Sequence, residues 1–222
     1  MKILTAPSLF ACDLMNIASE VRRTEEAGAD IIHFDIMDGV YVPNVSIGFD
    51  ILKGVRSLTD LPIDAHMMTS CAEKYFERLA SFGADIVSVH SDVGSTEKVR
   101  NMLNDIHSFG MMSSIALKPA VSADAVLPFL DIVDMVLIMT VEPGFSGQRF
   151  MDMTQKIETV RSYVGKDTIS IQVDGGINPE TAALCAAAGA NVFVAGSGAY
   201  RAPSMKDALD KIRSAAECAY CD

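Results

Sequence analysis

With 222 residues, half of them hydrophobic, the chain is long enough for one large core and too apolar to be a disordered segment. A formal net charge of −11, from 18 Lys and Arg against 29 Asp and Glu, excludes a basic face that grips nucleic acid by its phosphates. No run of about 18 consecutive apolar residues marks a membrane span.

In chain order, short β-rich apolar runs alternate with amphipathic stretches. Residues 1–7 are too soon broken by Pro7 to serve as a signal peptide and read as a first strand over 3–6. A helix is expected over 14–27, then a strand over 31–36. A strand over 63–67, a helix over 72–81 and a strand over 86–90 come next, followed by a helix over 96–109 and a strand over 113–117. The last part holds a strand over 133–139, a helix over 153–164, and strands over 170–173 and 192–195. Gly28-Ala29-Asp30, Gly83-Ala84-Asp85 and Gly189-Ala190-Asn191 read as shared turn chemistry between a helix end and a buried strand. Eight such units predict an α/β fold, a closed parallel (β/α)8 TIM barrel forming a single catalytic domain over 1–222. An open doubly wound sheet is the alternative, but the first strand runs into Pro7-Ser8-Leu9-Phe10 and not into a glycine-rich GxGxxG turn.

Five cysteines, with Cys12, Cys71 and Cys185 in apolar or helical settings, fit reduced thiols of a soluble cytoplasmic protein. Cys218 and Cys221 form a CxxC without the second pair that a zinc site normally needs. His90 and His107 read as structural.

Barrel enzymes carry their chemistry at the C-terminal ends of strands. The second strand ends His33-Phe34-Asp35-Ile36-Met37-Asp38-Gly39, and residues two apart share a face, so His33, Asp35 and Met37 point one way. Asp64, His66 and Met68 share a face at the end of the third strand. The sixth strand ends Met139-Thr140, the seventh Gln172-Val173-Asp174-Gly175-Gly176. Taken singly, these are hydrogen-bonded histidines, turn-forming aspartates and core methionines. Gathered at one rim, two histidines and two aspartates make a mixed nitrogen and oxygen set suited to Zn²⁺, Fe²⁺, Mn²⁺ or Co²⁺. Gly144-Phe145-Ser146-Gly147-Gln148, Gly175-Gly176 and Gly196-Ser197-Gly198 follow three adjacent strands. They read either as ordinary turns or as backbone N–H cradles for a phosphate, which an acidic protein could then hold without an arginine cluster.

Five stretches resemble the ribulose-phosphate 3-epimerase family, in the same order and over nearly the whole chain. They are Ala6-Pro7-Ser8-Leu9, the HFDIMDG of 33–39 with Val42-Pro43-Asn44, the DAHMM of 64–68, the MTVEPGFSGQ of 139–148, and the VDGGIN of 173–178. The resemblance implies an isomerase of carbohydrate metabolism, in the pentose phosphate pathway, that interconverts D-ribulose 5-phosphate and D-xylulose 5-phosphate. It implies one divalent metal ion held by His33, Asp35, His66 and Asp174, with Asp35 and Asp174 as the acid–base pair for an enediolate at C3. Ser8, His66, Gly144, Phe145, Ser146, Gly147, Asp174, Gly175, Gly176, Gly196 and Ser197 would contact the sugar phosphate, and Met37, Met68 and Met139 would line the reacting carbon. Two carboxylates suit inversion, since a single base would mostly return the proton to the face it left. Ser146, Lys118 and Gln172 depart from the residues usual in the family, a glycine, an asparagine and an acidic residue. A 3-epimerase of a ketohexose phosphate such as D-allulose 6-phosphate, and a catalytically inactive sugar-phosphate-binding barrel, are the competing readings. The expected partner is a small ketose phosphate, with neither nucleic acid nor membrane, in a homo-oligomer.

Overall fold

The computed structural model describes residues 1–165 and 168–220, so that Cys221 of the CxxC lies outside the described residues. In chain order the elements are β1 (Leu4–Pro7), α1 (Ile17–Glu26), β2 (Ile32–Met37), α2 (Phe49–Arg56), β3 (Ile63–Met68), α3 (Phe76–Phe82), β4 (Ile86–His90), α4 (Thr96–Ser108), β5 (Met112–Leu117), β6 (Met135–Met139), α5 (Thr154–Val164), β7 (Ser170–Asp174), α6 (Pro179–Ala187), β8 (Val192–Ala195), α7 (Ser197–Tyr200) and α8 (Met205–Ala219). The strands are all parallel, consecutive strands from β2 to β8 pair with one another, and β8 also pairs with β1. A parallel bridge between Ser8 and His33 brings β1 to β2. This is the (β/α)8 barrel that the alternation predicts.

Strands covered by helices outside and by other strands inside bury both faces, which explains their near-continuous apolar runs. The outward residues, such as Ile32, Phe34, Val87, Val89 and Val136, join the helices in the main core. Inside the barrel Ala6, Ile31, Ile86, Met135, Val192 and Val194 pack together beneath the polar layer that carries the site. No helix among the described residues is long and apolar enough to cross a membrane.

Two expected helices take a different form. The helix expected over 14–27 is split, because the Asp13 side chain caps a 3₁₀ turn at Leu14–Asn16 by accepting from Met15 N–H, and α1 starts only at Ile17. The helix expected over 72–81 opens as a 3₁₀ turn at Ala72–Tyr75, and α3 starts only at Phe76. Between β5 and β6 the outer layer is a 3₁₀ stretch, Ala123–Phe129, with Pro128 inside it. A proline there removes a donor and crowds the preceding turn, which disfavours an α-helix.

The N-terminal rim of the barrel carries a repeated clamp. Asp30, Asp85, Asp134 and Asn191 stand just before β2, β4, β6 and β8. Each side chain accepts from the backbone N–H of Thr5, Ile63, Ser113 and Ile171 respectively, at 2.8 to 2.9 Å. Each clamp residue's own backbone N–H in turn donates to the carbonyl of that same partner, at 2.9 to 3.0 Å. A basic side chain also meets each clamp: Arg213 on Asp30, Arg56 on Asp85, His107 on Asp134 and Arg161 on Asn191. The turn motif ending in Asp or Asn is therefore a two-point lock between alternate strand pairs. Asp134 performs it without the Gly-Ala prefix.

Candidate active site

Alternation along the strands aims the site residues inward. β2 contributes His33, Asp35 and Met37, β3 contributes Asp64, His66 and Met68, and β7 contributes Gln172 and Asp174. The register sets His33 beside Asp64 and Asp35 beside His66. Ser8, just past β1, donates its hydroxyl to Asp35 Oδ2 at 2.6 Å. His33 Nε2 lies 3.3 Å from Asp35 Oδ1 and 3.9 Å from Asp174 Oδ2. His66 Nδ1 lies 3.1 Å from Asp35 Oδ1 and 3.9 Å from Asp174 Oδ2. One donor atom from each of His33, Asp35, His66 and Asp174 thus falls within 4.8 Å of the others.

The electrostatics call for a cation at this point. Burial opposes charge on His33, but Asp35 and Asp64 overcome it and hold the ring well above the usual histidine range. Burial likewise opposes ionisation of Asp35, yet the facing His33 and His66 hold its carboxyl well below the usual range. Burial, and then the charge of Asp35, push Asp174 up to about 6. His33 Nε2, fully buried, has no hydrogen-bond partner among the described residues. The proton that Asp35 and Asp64 hold on the buried His33 marks a place where positive charge is favoured, and a divalent ion can take that place when the ring gives the proton up. Two nitrogens and two carboxylate oxygens within reach of one point fit a divalent ion of the zinc, iron, manganese or cobalt type.

A cavity of about 400 Å³ opens above this cluster at the C-terminal rim. Asp35 and Asp174 lie on its floor, with Met37, Met68 and Met139 around them. Ser8, Gly144, Phe145, Ser146, Gly147, Gly175, Gly176, Gly196 and Ser197 also line it. His33 and His66, both with no exposed surface, lie beneath the floor. Two glycines in the loop after β7 are required by geometry. At Gly175, with φ of +126°, a Cβ would sit 2.5 Å from the Val141 side chain. At Gly176, with φ of +64°, it would sit 2.8 Å from the Phe150 backbone. The loop after β6 is tied from two sides: Asn44 Nδ2 donates to Gly144 O at 2.7 Å, and Gln148 Nε2 to Phe145 O at 2.9 Å.

Three polar residues below the floor, outside the expected ligand set, belong to the site. Asp64 Oδ2 accepts from His33 Nδ1–H at 2.8 Å and from Gln172 Nε2 at 2.8 Å. His90 Nε2 lies 2.9 Å from His66 Nε2. Burial, His66 and Lys118 hold His90 well below the usual histidine range, so it is neutral and can accept from the His66 ring. The signal was present: His90 ends β4 on the inward face, as His33 and His66 do on their strands. His107 sits instead at the opposite rim, in the clamp on Asp134. Lys118 does not line the cavity, since its ammonium pairs with Asp92 at 3.1 Å and lies 3.8 Å from the centre of the Tyr41 ring.

A (β/α)8 barrel whose C-terminal cavity is floored by two carboxylates backed by buried imidazoles is built as an enzyme for proton transfer at a bound small molecule. The family model for ribulose-phosphate 3-epimerases matches residues 4–200. A ribulose-phosphate 3-epimerase of Bacillus subtilis is 40% identical over 215 residues, covering 95% of this chain and 98% of the relative. One from Rhodobacter capsulatus is 38% identical over 223 residues, covering 98% and 97%. The barrel also resembles the solved structure of 3-hexulose-6-phosphate synthase from Salmonella typhimurium. That match has a TM-score of 0.75 at 17% identity, with 98% of this chain and 100% of the other covered, and it speaks for the fold alone. The chain belongs to the ribulose-phosphate 3-epimerase family.

Proposed function

We propose that this protein interconverts D-ribulose 5-phosphate and D-xylulose 5-phosphate by moving the C3 proton between Asp35 and Asp174. The observation that carries this reading is that Asp35 and Asp174, from two different strands, meet on one cavity floor. Inversion needs a base on one side of a planar enediolate and an acid on the other. Asp35, held ionised by two imidazoles and the Ser8 hydroxyl, is ready to take a proton. Asp174, pushed up to about 6, is the partner more readily protonated. Environments that separate two carboxyl groups in this way assign acid and base roles, which exchange in the reverse reaction. A divalent ion held by His33, Asp35, His66 and Asp174 would supply Lewis-acid stabilisation beside the ketone oxygen as negative charge develops there.

The remaining residues bind and shield. Backbone N–H groups of the loops at Gly144, Phe145, Ser146, Gly147, Gly175, Gly176, Gly196 and Ser197 would hold the phosphate, away from the reacting carbon. Binding energy gained there orients C3 over the floor. Ser8 fixes Asp35 and can reach the sugar, and His66 supports the floor from below. Met37, Met68 and Met139 give an apolar surround that excludes water from the enediolate. Cytoplasmic residence is supported by the free state of the described thiols, Cys12, Cys71, Cys185 and Cys218. Association into a homo-oligomer would cover exposed apolar side chains such as Met15 and Val45.

The test is epimerisation in deuterated water. Solvent deuterium should enter C3 of ribulose 5-phosphate, and Asp35→Asn or Asp174→Asn should abolish net inversion. Absence of turnover by the metal-loaded wild type, or faster turnover of D-allulose 6-phosphate, would overturn the pentose reading.

A further inference from the structure

We infer that Asp64 and Gln172, neither of which reaches the cavity, form a positioning pair that fixes which nitrogen of His33 is offered to a divalent ion and at what spacing from Asp174. The inference rests on the metal-site reading above. Asp64 and Gln172 are both fully buried. Asp64 Oδ2 stands 2.8 Å from His33 Nδ1 and 2.8 Å from Gln172 Nε2, and its other oxygen is 3.4 Å from Ser88 Oγ.

A carboxylate oxygen offers only acceptor capacity here, so His33 must present Nδ1–H to it. With Nδ1–H held in this way, the proton that a metal ion displaces is the one on Nε2, and the free lone pair falls there alone. That nitrogen is the buried one that faces Asp35 and Asp174 without a hydrogen-bond partner among the described residues. An imidazole backed by a carboxylate is also fixed in rotation and made a stronger donor.

Gln172 supplies the other half. It lies two residues before Asp174 on β7 and reaches across the barrel interior to β3. This one hydrogen bond ties the strand carrying Asp174 to the side chain that orients His33. An acidic residue in this place would face Asp64 with acceptor against acceptor unless one of them held a proton. The amide brings a donor at every pH. Its own Oε1 has no partner among the described residues, so the donor end is what the site uses. The second imidazole is arranged differently, since His66 is backed by the neutral ring of His90.

Both hydrogen bonds end on the same oxygen, so acceptor, charge and donor can be removed separately. Asp64→Leu removes the acceptor, Asp64→Asn keeps one oxygen that can take both bonds and loses the charge, and Gln172→Met keeps the shape and loses the donor. The experiment is titration of metal-free protein with Co²⁺ against a competing chelator, with the Co²⁺ absorption spectrum recorded and folding checked by thermal melting. Asp64→Leu should bind Co²⁺ about 10–100-fold more weakly than wild type. Asp64→Asn should fall between wild type and Asp64→Leu, and Gln172→Met should weaken binding by a smaller factor than Asp64→Leu. Wild-type affinity and spectrum in both Asp64→Asn and Gln172→Met would overturn the inference. So would an Asp64→Asn variant as weak as Asp64→Leu while its metal-free melting temperature matches wild type. If wild type itself takes up no Co²⁺, the metal-site reading has failed, which is a separate result.

Discussion

The two rims of this barrel use the same residue type in opposite ways. At the N-terminal rim, Asp30, Asp85 and Asp134 each accept from a backbone N–H and a basic side chain. At the C-terminal rim, Asp35 and Asp174 face two buried imidazoles, with one ring nitrogen that has no hydrogen-bond partner among the described residues. A carboxylate satisfied by main chain and cation is committed to holding strands together. One that shares a buried space with another carboxylate and an unpartnered ring nitrogen keeps its proton chemistry available. The difference lies in the partners, not in the residue.

The largest effect that sharpens this contrast is expected at the C-terminal rim. Asp35→Asn should lower turnover by roughly 10²–10⁴-fold, the usual scale for losing a general base. Because His33 and His66 hold Asp35 ionised, its loss also removes a stabilising pairing from the metal-free protein. The rate per folded molecule is therefore the readout, and a retained rate would break the contrast. A second, smaller effect is expected at Gly175→Ala. Its positive φ and the 2.5 Å approach to Val141 mean that the loop must shift. Strain of this kind costs about 1–3 kcal/mol, and KM for ribulose 5-phosphate should rise more than kcat falls, as steady-state kinetics on the two proteins would read out.

At the N-terminal rim the outcome should reverse. Asp85→Ala leaves the Ile63 N–H without its acceptor and should cost about 1–3 kcal/mol by denaturant unfolding. The rate per folded molecule should stay at the wild-type value, and a large loss of rate would show that the two rims are not separable. The smallest effect concerns acid. Burial would raise the Asp30 pKa, but Thr5 N–H, Lys2 and Arg213 hold it below the usual carboxylate range. Its contribution is therefore complete above the ordinary aspartate value near about 4 and is lost as pH falls through the lower folded value. Asp30→Asn should be less stable than wild type at neutral pH, with the gap closing on acidification. A gap that widens would contradict the sign.

The barrel was legible because apolar runs of strand length, separated by amphipathic helices, leave few other solutions. The strand-end cluster was legible because a two-residue period decides which side chains turn inward, so His33 and Asp35, or Asp64 and His66, had to share a face. The form of the layer between β5 and β6 was less so, since Pro128 weighs against an α-helix only once its neighbours are placed. Asp134 was missed as a clamp because it lacks the glycine that marks its counterparts. His90 looked like a lone strand-end histidine.

What the sequence determined by itself was the periodicity, the inward faces and the glycine positions, all of which follow from local backbone geometry. Only the tertiary structure decided the partners. His33 is more than a hundred residues from Gln172, yet Asp64 joins them, and His66 meets His90 from the next strand. A buried polar atom takes its properties from whatever closure of the barrel brings within hydrogen-bond distance, and that is set by the register of all eight strands together.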